Sequence, residues 1–202
     1  VHPEDPSLCV KVLRTDDDRF IKTGRTLVPS AMRSEYDNNE DERRTLAGLA
    51  RRLGDAYRHL PRCDGYVETD LGKGLVLELV RDDDGRISRS VREVLLSGTA
   101  LEELRPAYDE MTAHFIAHGV VTRAILDHNL TAQRVGDRWR MTLIDGFGDS
   151  TLIPLRSFLP ALRTATARKQ ARRGWERLES VAAQVRRGDT DWDRSRWGQG
   201  VL

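Results

Sequence analysis

An aspartate ends an apolar, strand-like run in Thr142-Leu143-Ile144-Asp145-Gly146-Phe147-Gly148, and Asn129 precedes it by about one hairpin's length. A carboxylate and a neutral amide, beside a turn that glycine makes flexible, form a donor set for a divalent cation that also holds phosphate. Lys11 adds a positive charge. It lies inside Cys9-Val10-Lys11-Val12-Leu13 and is one of only four lysines in a chain that otherwise uses arginine. An ammonium in such an apolar run needs a buried anionic partner. Glu42 is the expected partner, because a helix behind the strand would aim a carboxylate from its first turns at the lysine; Glu40 is the alternative.

These residue types suit phosphoryl transfer, whose catalysis is mainly positioning and charge neutralisation. In that chemistry Lys11 holds the α- and β-phosphates of ATP and Glu42 holds Lys11. Asp145 binds Mg²⁺, Asn129 serves the same metal, and the backbone of Glu78, Leu79 and Val80 reads an adenine edge. Lysine on an early strand, asparagine after a helix and Asp-Gly at a strand end follow the order of parts in protein kinases. One part is missing. The kinase register His-Arg-Asp falls on Thr122-Arg123-Ala124, so alanine replaces the usual base. Asp127, two residues before Asn129, is the candidate substitute, and His128 is the second choice. His114 and His118 have a spacing that can chelate zinc, but no third ligand accompanies them, so a partly exposed helix face is expected there.

The elements that carry these residues follow from periodicity. Leu8 to Leu13 reads as a strand, with a polar loop through Asp18 and a short extended piece near Phe20. Leu46, Leu49, Leu53 and Ala56 recur at helical spacing, which predicts a helix over about 37–57, ended by Pro61. Tyr66–Thr69 and Leu75–Val80 form a hairpin across Asp70-Leu71-Gly72-Lys73-Gly74, and the acidic stretch Arg81–Gly85 breaks the pattern. Thr99-Ala100-Leu101-Glu102 resembles a capping box ahead of a helical stripe of Leu101, Leu104, Tyr108, Met111 and Phe115, which Pro106 should kink. A second hairpin joins Leu130–Val135 to Trp139–Ile144 across Gly136-Asp137. Phe158, Leu162, Trp175, Leu178 and Val181 mark the apolar side of Arg-rich helices, and the tail after Gly188 reads as loosely ordered.

Bulk properties set limits. The 202 residues suffice for one large domain or two small lobes around a cleft. No apolar run approaches the roughly 20 residues of a membrane helix, and two distant cysteines argue against a disulfide framework or a zinc site, so a reducing cytoplasm is expected. The net charge of +1 hides a segregation: Asp16–Asp18 and Asp82–Asp84 are acidic, whereas Arg156 to Arg196 holds eleven basic and five acidic residues. That excess is mainly a solvated helical face. As a docking surface it suits an acidic partner better than nucleic acid, since no aromatic-rich RNA motif accompanies it.

Val1-His2-Pro3-Glu4-Asp5, Cys9-Val10-Lys11-Val12, Gly65-Tyr66-Val67-Glu68-Thr69-Asp70 and above all Gly148-Asp149-Ser150-Thr151-Leu152-Ile153-Pro154-Leu155 resemble the PhoP regulatory network protein YrbL family, small bacterial proteins with a kinase-like domain. The resemblance runs from Val1 to about Arg173 and implies a compact kinase-like fold with ATP binding. The expected fold is therefore α+β and two-lobed. Residues 1–81 would be a small β-rich N-lobe with one helix, incomplete because the Gly-rich phosphate loop would precede Val1, followed by a reduced helical C-lobe over 82–188 and a tail over 189–202. The expected function is transfer of phosphate to a protein or small-molecule hydroxyl, or else a pseudokinase module that binds nucleotide and is read by a partner.

Overall fold

The computed structural model describes residues 1–12, 38–147 and 159–189. The chain is α+β. Strand β1 (Leu8–Val12) is followed by helix α1 (Asn38–Leu53), one 3₁₀ turn (Gly54–Ala56), and strands β2 (Cys63–Thr69) and β3 (Gly72–Glu78). A short strand β4 (Arg89–Ser90) leads into helices α2 (Val91–Leu96) and α3 (Leu101–His118), the hairpin β5 (Leu130–Val135) and β6 (Arg138–Leu143), and helix α4 (Pro160–Arg186). The strands form two antiparallel sheets of order β1-β3-β2 and β4-β5-β6. The polar loop to Asp18, the extended piece near Phe20, Phe158 and the motif Gly148–Leu155 lie outside the described residues.

In the first sheet β3 is the central strand. That explains its continuous apolar run Leu75-Val76-Leu77, all buried, where an edge strand would alternate. Helix α1 packs on this sheet through Leu46, Leu49 and Leu53, the three positions that the spacing marks, and Ala56 follows in the 3₁₀ turn. Its start is moored to β1 by Asn39, whose side-chain amide donates to the Lys11 carbonyl at 2.8 Å.

The second sheet is held by the predicted hairpin, in register from Leu130 opposite Leu143 to Val135 opposite Arg138. Leu130, Met141 and Leu143 lie fully inside, against α3, whose stripe Leu101, Leu104, Tyr108, Met111 and Phe115 is also buried. Helix α3 is continuous through Pro106. Early in a helix a proline forfeits one hydrogen bond and leaves the later turns intact. The helix ends at Gly119, whose φ of 57° places it in the left-handed region that glycine adopts without strain.

Two local expectations are corrected. The start of α3 is one residue later than the capping-box reading, with Ala100 at the cap and Glu103, not Glu102, accepting from the Ala100 amide at 3.3 Å. Alanine offers no side-chain acceptor, so the box is half a box. A full one stands at Ser90 and Glu93, where α2 begins. On α4, Leu178 is buried and Trp175 and Val181 pack against the core, but Leu162 is 43% exposed. The opposite face of α4 presents Arg168, Lys169, Arg172, Arg173 and Arg177 outward. Among the described residues no helix is long and apolar enough to cross a membrane.

His59 ties the segment ahead of β2 to β6 of the second sheet. Its carbonyl accepts from the Leu143 amide at 3.0 Å, and its Nδ1 lies 2.8 Å from the Met141 carbonyl. With a φ of 63°, it is the only non-glycine residue among those described to enter the left-handed region. At this turn the His59 backbone pairs with Leu143 and its ring with Met141.

Candidate functional site

Register alone brings Asn129 and Asp145 together. They flank the open ends of β5 and β6, and the zipper continues one step past the paired strands, with the Ile144 amide donating to the Asn129 carbonyl at 2.8 Å. The next turn is made by Gly146 at a φ of 81°, and the Gly146 amide donates to Asp145 Oδ1 at 2.6 Å. A Cβ on Gly146 would come within 3.2 Å of both the Ala124 carbonyl and Asn129 Nδ2. Glycine is therefore needed for its conformation and for its lack of bulk.

Segment 122–124 presses against the same turn. Thr122 forms a bridge with Phe147, and the Arg123 amide donates to the Gly146 carbonyl at 2.7 Å. Gln170 on α4 holds Thr122 from behind: its Oε1 accepts from the Thr122 amide at 3.1 Å, and its Nε2 donates to the Thr122 carbonyl. The Ala124 carbonyl thus stands beside Gly146 and the Asn129 side-chain amide.

Lys11 completes the corner. Its Nζ lies 2.6 Å from Glu42 Oε2 and 3.2 Å from Asp145 Oδ2, linking the first sheet, α1 and the end of the second sheet. Burial works to lower the lysine's pKa, but Asp145 and Glu42 outweigh it and raise it, so the ammonium stays charged. Glu42 is 7% exposed, and burial raises its carboxyl above the ordinary range although Lys11 pulls the other way. Glu40 is committed elsewhere: it accepts from Arg43 at 2.9 Å, from Arg44 at 2.7 Å and from the Tyr66 hydroxyl at 3.0 Å.

Lys11, Asn129 and Asp145 line a cleft of about 560 Å³ together with Glu78, Leu79, Val80 and His128. The Glu78 and Leu79 amides donate to the carbonyls of Arg62 and Ser7, at 2.8 and 2.7 Å, and the Val80 carbonyl accepts from Ser88 at 3.0 Å. The lining thus combines apolar side chains such as Leu77, Leu79 and Val80 with the Lys11 ammonium and the Asp145 carboxylate. Such a cleft can seat a flat apolar ring at one end and an anion with its counter-ion at the other.

Asp127 stands apart from this corner. It is turned to Arg92 on α2, whose Nε donates to Oδ2 and whose Nη2 donates to Oδ1 at 3.1 Å. Both side chains are largely buried, at 8% and 14% exposure. Burial works to raise the Asp127 pKa, but His128 and Arg92 beside it bring it down to about 2. Asp127 is absent from the cleft lining, so the structure does not bring this candidate base to the other site residues.

The His114 and His118 rings lie 4.4 Å apart between centroids, tilted by 41°, and buried His59 lies 5.5 Å from His114, away from the cleft. Among the described residues no three His, Cys, Asp or Glu converge as metal ligands. A magnesium site needs no such group, since Mg²⁺ takes one or two carboxylates and completes its shell with phosphate and water. The donor set of Asp145 and Asn129 fits that pattern. Sequence reading missed Arg92, His59 and Gln170; the Ser90–Glu93 capping box was the only signal near any of them.

Comparison with known proteins agrees with the motifs. The chain is 29% identical over 181 residues to the YrbL proteins of Escherichia coli (strain K12) and Shigella flexneri, an alignment that covers 88% of this chain and 77% of each relative. The family model of PhoP regulatory network protein YrbL matches residues 1–182. With the whole described core inside that match, the chain belongs to the PhoP regulatory network protein YrbL family.

Proposed function

We propose that the cleft binds a nucleoside triphosphate with Mg²⁺ in a kinase-like, two-lobed arrangement, with residues 1–81 as the N-lobe and 82–188 as a reduced C-lobe. The observation that carries this reading is Lys11 Nζ held between Glu42 at 2.6 Å and Asp145 at 3.2 Å, with Asn129 beside Asp145 on the same cleft. Two segments distant in the chain, β1 and the ends of the β5–β6 hairpin, supply a cation, a carboxylate and an amide to a cavity large enough for a nucleotide. Lys11 would neutralise phosphate oxygens, Glu42 would orient Lys11, and Asp145 with Asn129 would hold Mg²⁺. The wall formed by Glu78, Leu79 and Val80 would take the base. The metal's contribution when bound is to neutralise charge on the phosphates.

Whether phosphate is then transferred separates two readings. As a phosphotransferase, the protein would pass the γ-phosphoryl group to a protein or small-molecule hydroxyl. As a pseudokinase, it would bind nucleotide and present the bound shape to a partner. Ala124 at the base position, together with the engagement of Asp127 by Arg92, favours the second.

The test is a melting-temperature comparison with and without ATP and Mg²⁺, repeated for Asp145→Ala, followed by a radiolabel transfer assay. A ligand that binds the native state raises its stability by mass action, so an upward shift lost in the variant supports nucleotide binding. An absent shift in the wild-type protein removes both readings. Label transfer in the wild-type chain selects the phosphotransferase.

A further inference from the structure

The nucleotide reading leaves several side chains of the cleft without a part, and one of them is a histidine. His128 lines the cavity beside Asn129 and is 23% exposed. Its Nδ1 does not face the cavity but turns back to the Arg92–Asp127 pair, 3.3 Å from Arg92 Nη2 and 3.7 Å from Asp127 Oδ1. The shorter contact is within hydrogen-bond reach and the longer is not. A guanidinium carries donors and no acceptor, so across the 3.3 Å contact Nδ1 accepts from Arg92, whereas a protonated Nδ1 would serve Asp127 instead. In the neutral imidazole the proton then sits on Nε2, at the far side of the ring from Arg92.

Arg92 is well placed to enforce this. Its own position is set by two N–H donors to Asp127 and by its backbone amide, which donates to the Asp127 carbonyl at 3.3 Å. The guanidinium behind the ring also polarises the Nε2–H bond, and a polarised donor is best matched by an anionic oxygen.

We propose that His128 is a ligand-binding residue that donates from Nε2 to a phosphate oxygen of the nucleotide, with Arg92 and Asp127 as the pair that orients it. The proposal rests on the nucleotide reading above and deepens it. It assigns Asp127 to steering a neighbouring donor in place of proton abstraction, and it gives His128 the role of a donor in place of a base.

The experiment has two arms. Nitrogen-15 NMR of the ligand-free protein reads the tautomer of His128, assigned by comparison with His128→Gln. A proton on Nε2 is the expected result, and a proton on Nδ1 shared with Asp127 overturns the proposal. Calorimetric titration then compares Mg-ATP and adenosine on wild type, His128→Ala and His128→Gln. His128→Ala should weaken Mg-ATP about tenfold and leave adenosine unchanged, because adenosine has no phosphate, while His128→Gln keeps an N–H near the Nε2 position and should stay within about threefold of wild type. Equal losses for both ligands, or no loss for Mg-ATP, overturn the phosphate contact. Absence of any Mg-ATP binding by the wild-type chain overturns the nucleotide reading and the contact with it, and the NMR arm still decides the tautomer.

Discussion

The Lys11 ammonium lies closer to Glu42, at 2.6 Å, than to Asp145, at 3.2 Å, and the two carboxylates differ sharply in burial, at 7% and 51% exposed. The buried partner holds the lysine in place. The exposed one remains open to a cation from solvent, and its pairing with Lys11 is the kind of half-solvated contact that contributes little to stability.

Asp145→Ala should therefore change the stability of the ligand-free protein by less than about 1 kcal/mol. With wild type, Mg-ATP at roughly a hundredfold excess over Kd should add about 2.7 kcal/mol, or roughly 5–10 °C in Tm for a chain of this size. The variant should lose most of that rise. Differential scanning fluorimetry with and without Mg-ATP reads both quantities.

Glu42 behaves differently because its carboxylate is buried. Removing it alone, as Glu42→Leu, leaves the Lys11 charge at the cleft without its close partner, and should cost about 2 kcal/mol. Pairing the change with Lys11→Met should cost less than the two single effects combined, by about 1 kcal/mol. Urea unfolding of the four proteins in the cycle checks this; strict additivity would mean that the 2.6 Å pair is not energetically coupled.

Asp127→Ala is expected to act on stability first. Its carboxylate and the Arg92 guanidinium are both inside the protein, so breaking the pair should cost about 3 kcal/mol. Asp127→Asn keeps part of the hydrogen bonding and should cost less. If either variant abolished label transfer while leaving the unfolding midpoint in place, Asp127 would be a base after all.

Acid should destabilise the fold in two windows. Burial, followed by the neighbouring His118, His59 and Arg58, holds the His114 pKa down from 6.5 to about 4. Below 6.5 the unfolded chain takes up a proton that the native state refuses, so stability falls as pH drops from 6.5 toward 4. Asp127 works in the next window: its pKa is lowered from 3.8 to about 2, so its contribution is present above 3.8 and lost as pH falls through 2. His114→Gln should shrink the first window, to which buried His59, also held down by burial, contributes as well, and leave the second. Unfolding midpoints from pH 7.5 to 2.5 test both.

Local elements were legible because their cause is local. Alternation and helical spacing mark α1, α3 and both hairpins directly in the chain, and the Leu130–Leu143 hairpin carries Asn129 and Asp145 to one point by pairing geometry alone. The lone lysine in an apolar strand likewise announces that a carboxylate must be near, since an unpaired ammonium is costly to bury. Which carboxylate is a different matter. Glu40 and Glu42 sit two positions apart on α1 and so point to nearly opposite sides of it; only the packing of α1 on the β1-β3-β2 sheet turns Glu42 to Lys11 and Glu40 to Arg43, Arg44 and Tyr66. Asp127 and Asn129 are two apart in a loop, where no period applies. Their opposite fates, one toward Arg92 and one onto the cleft, follow from where α2 lies in space. Arg92 and His59 gave no signal of their partners for the same reason: a pairing between residues far apart in the chain leaves no mark on either until the fold brings them within hydrogen-bond reach.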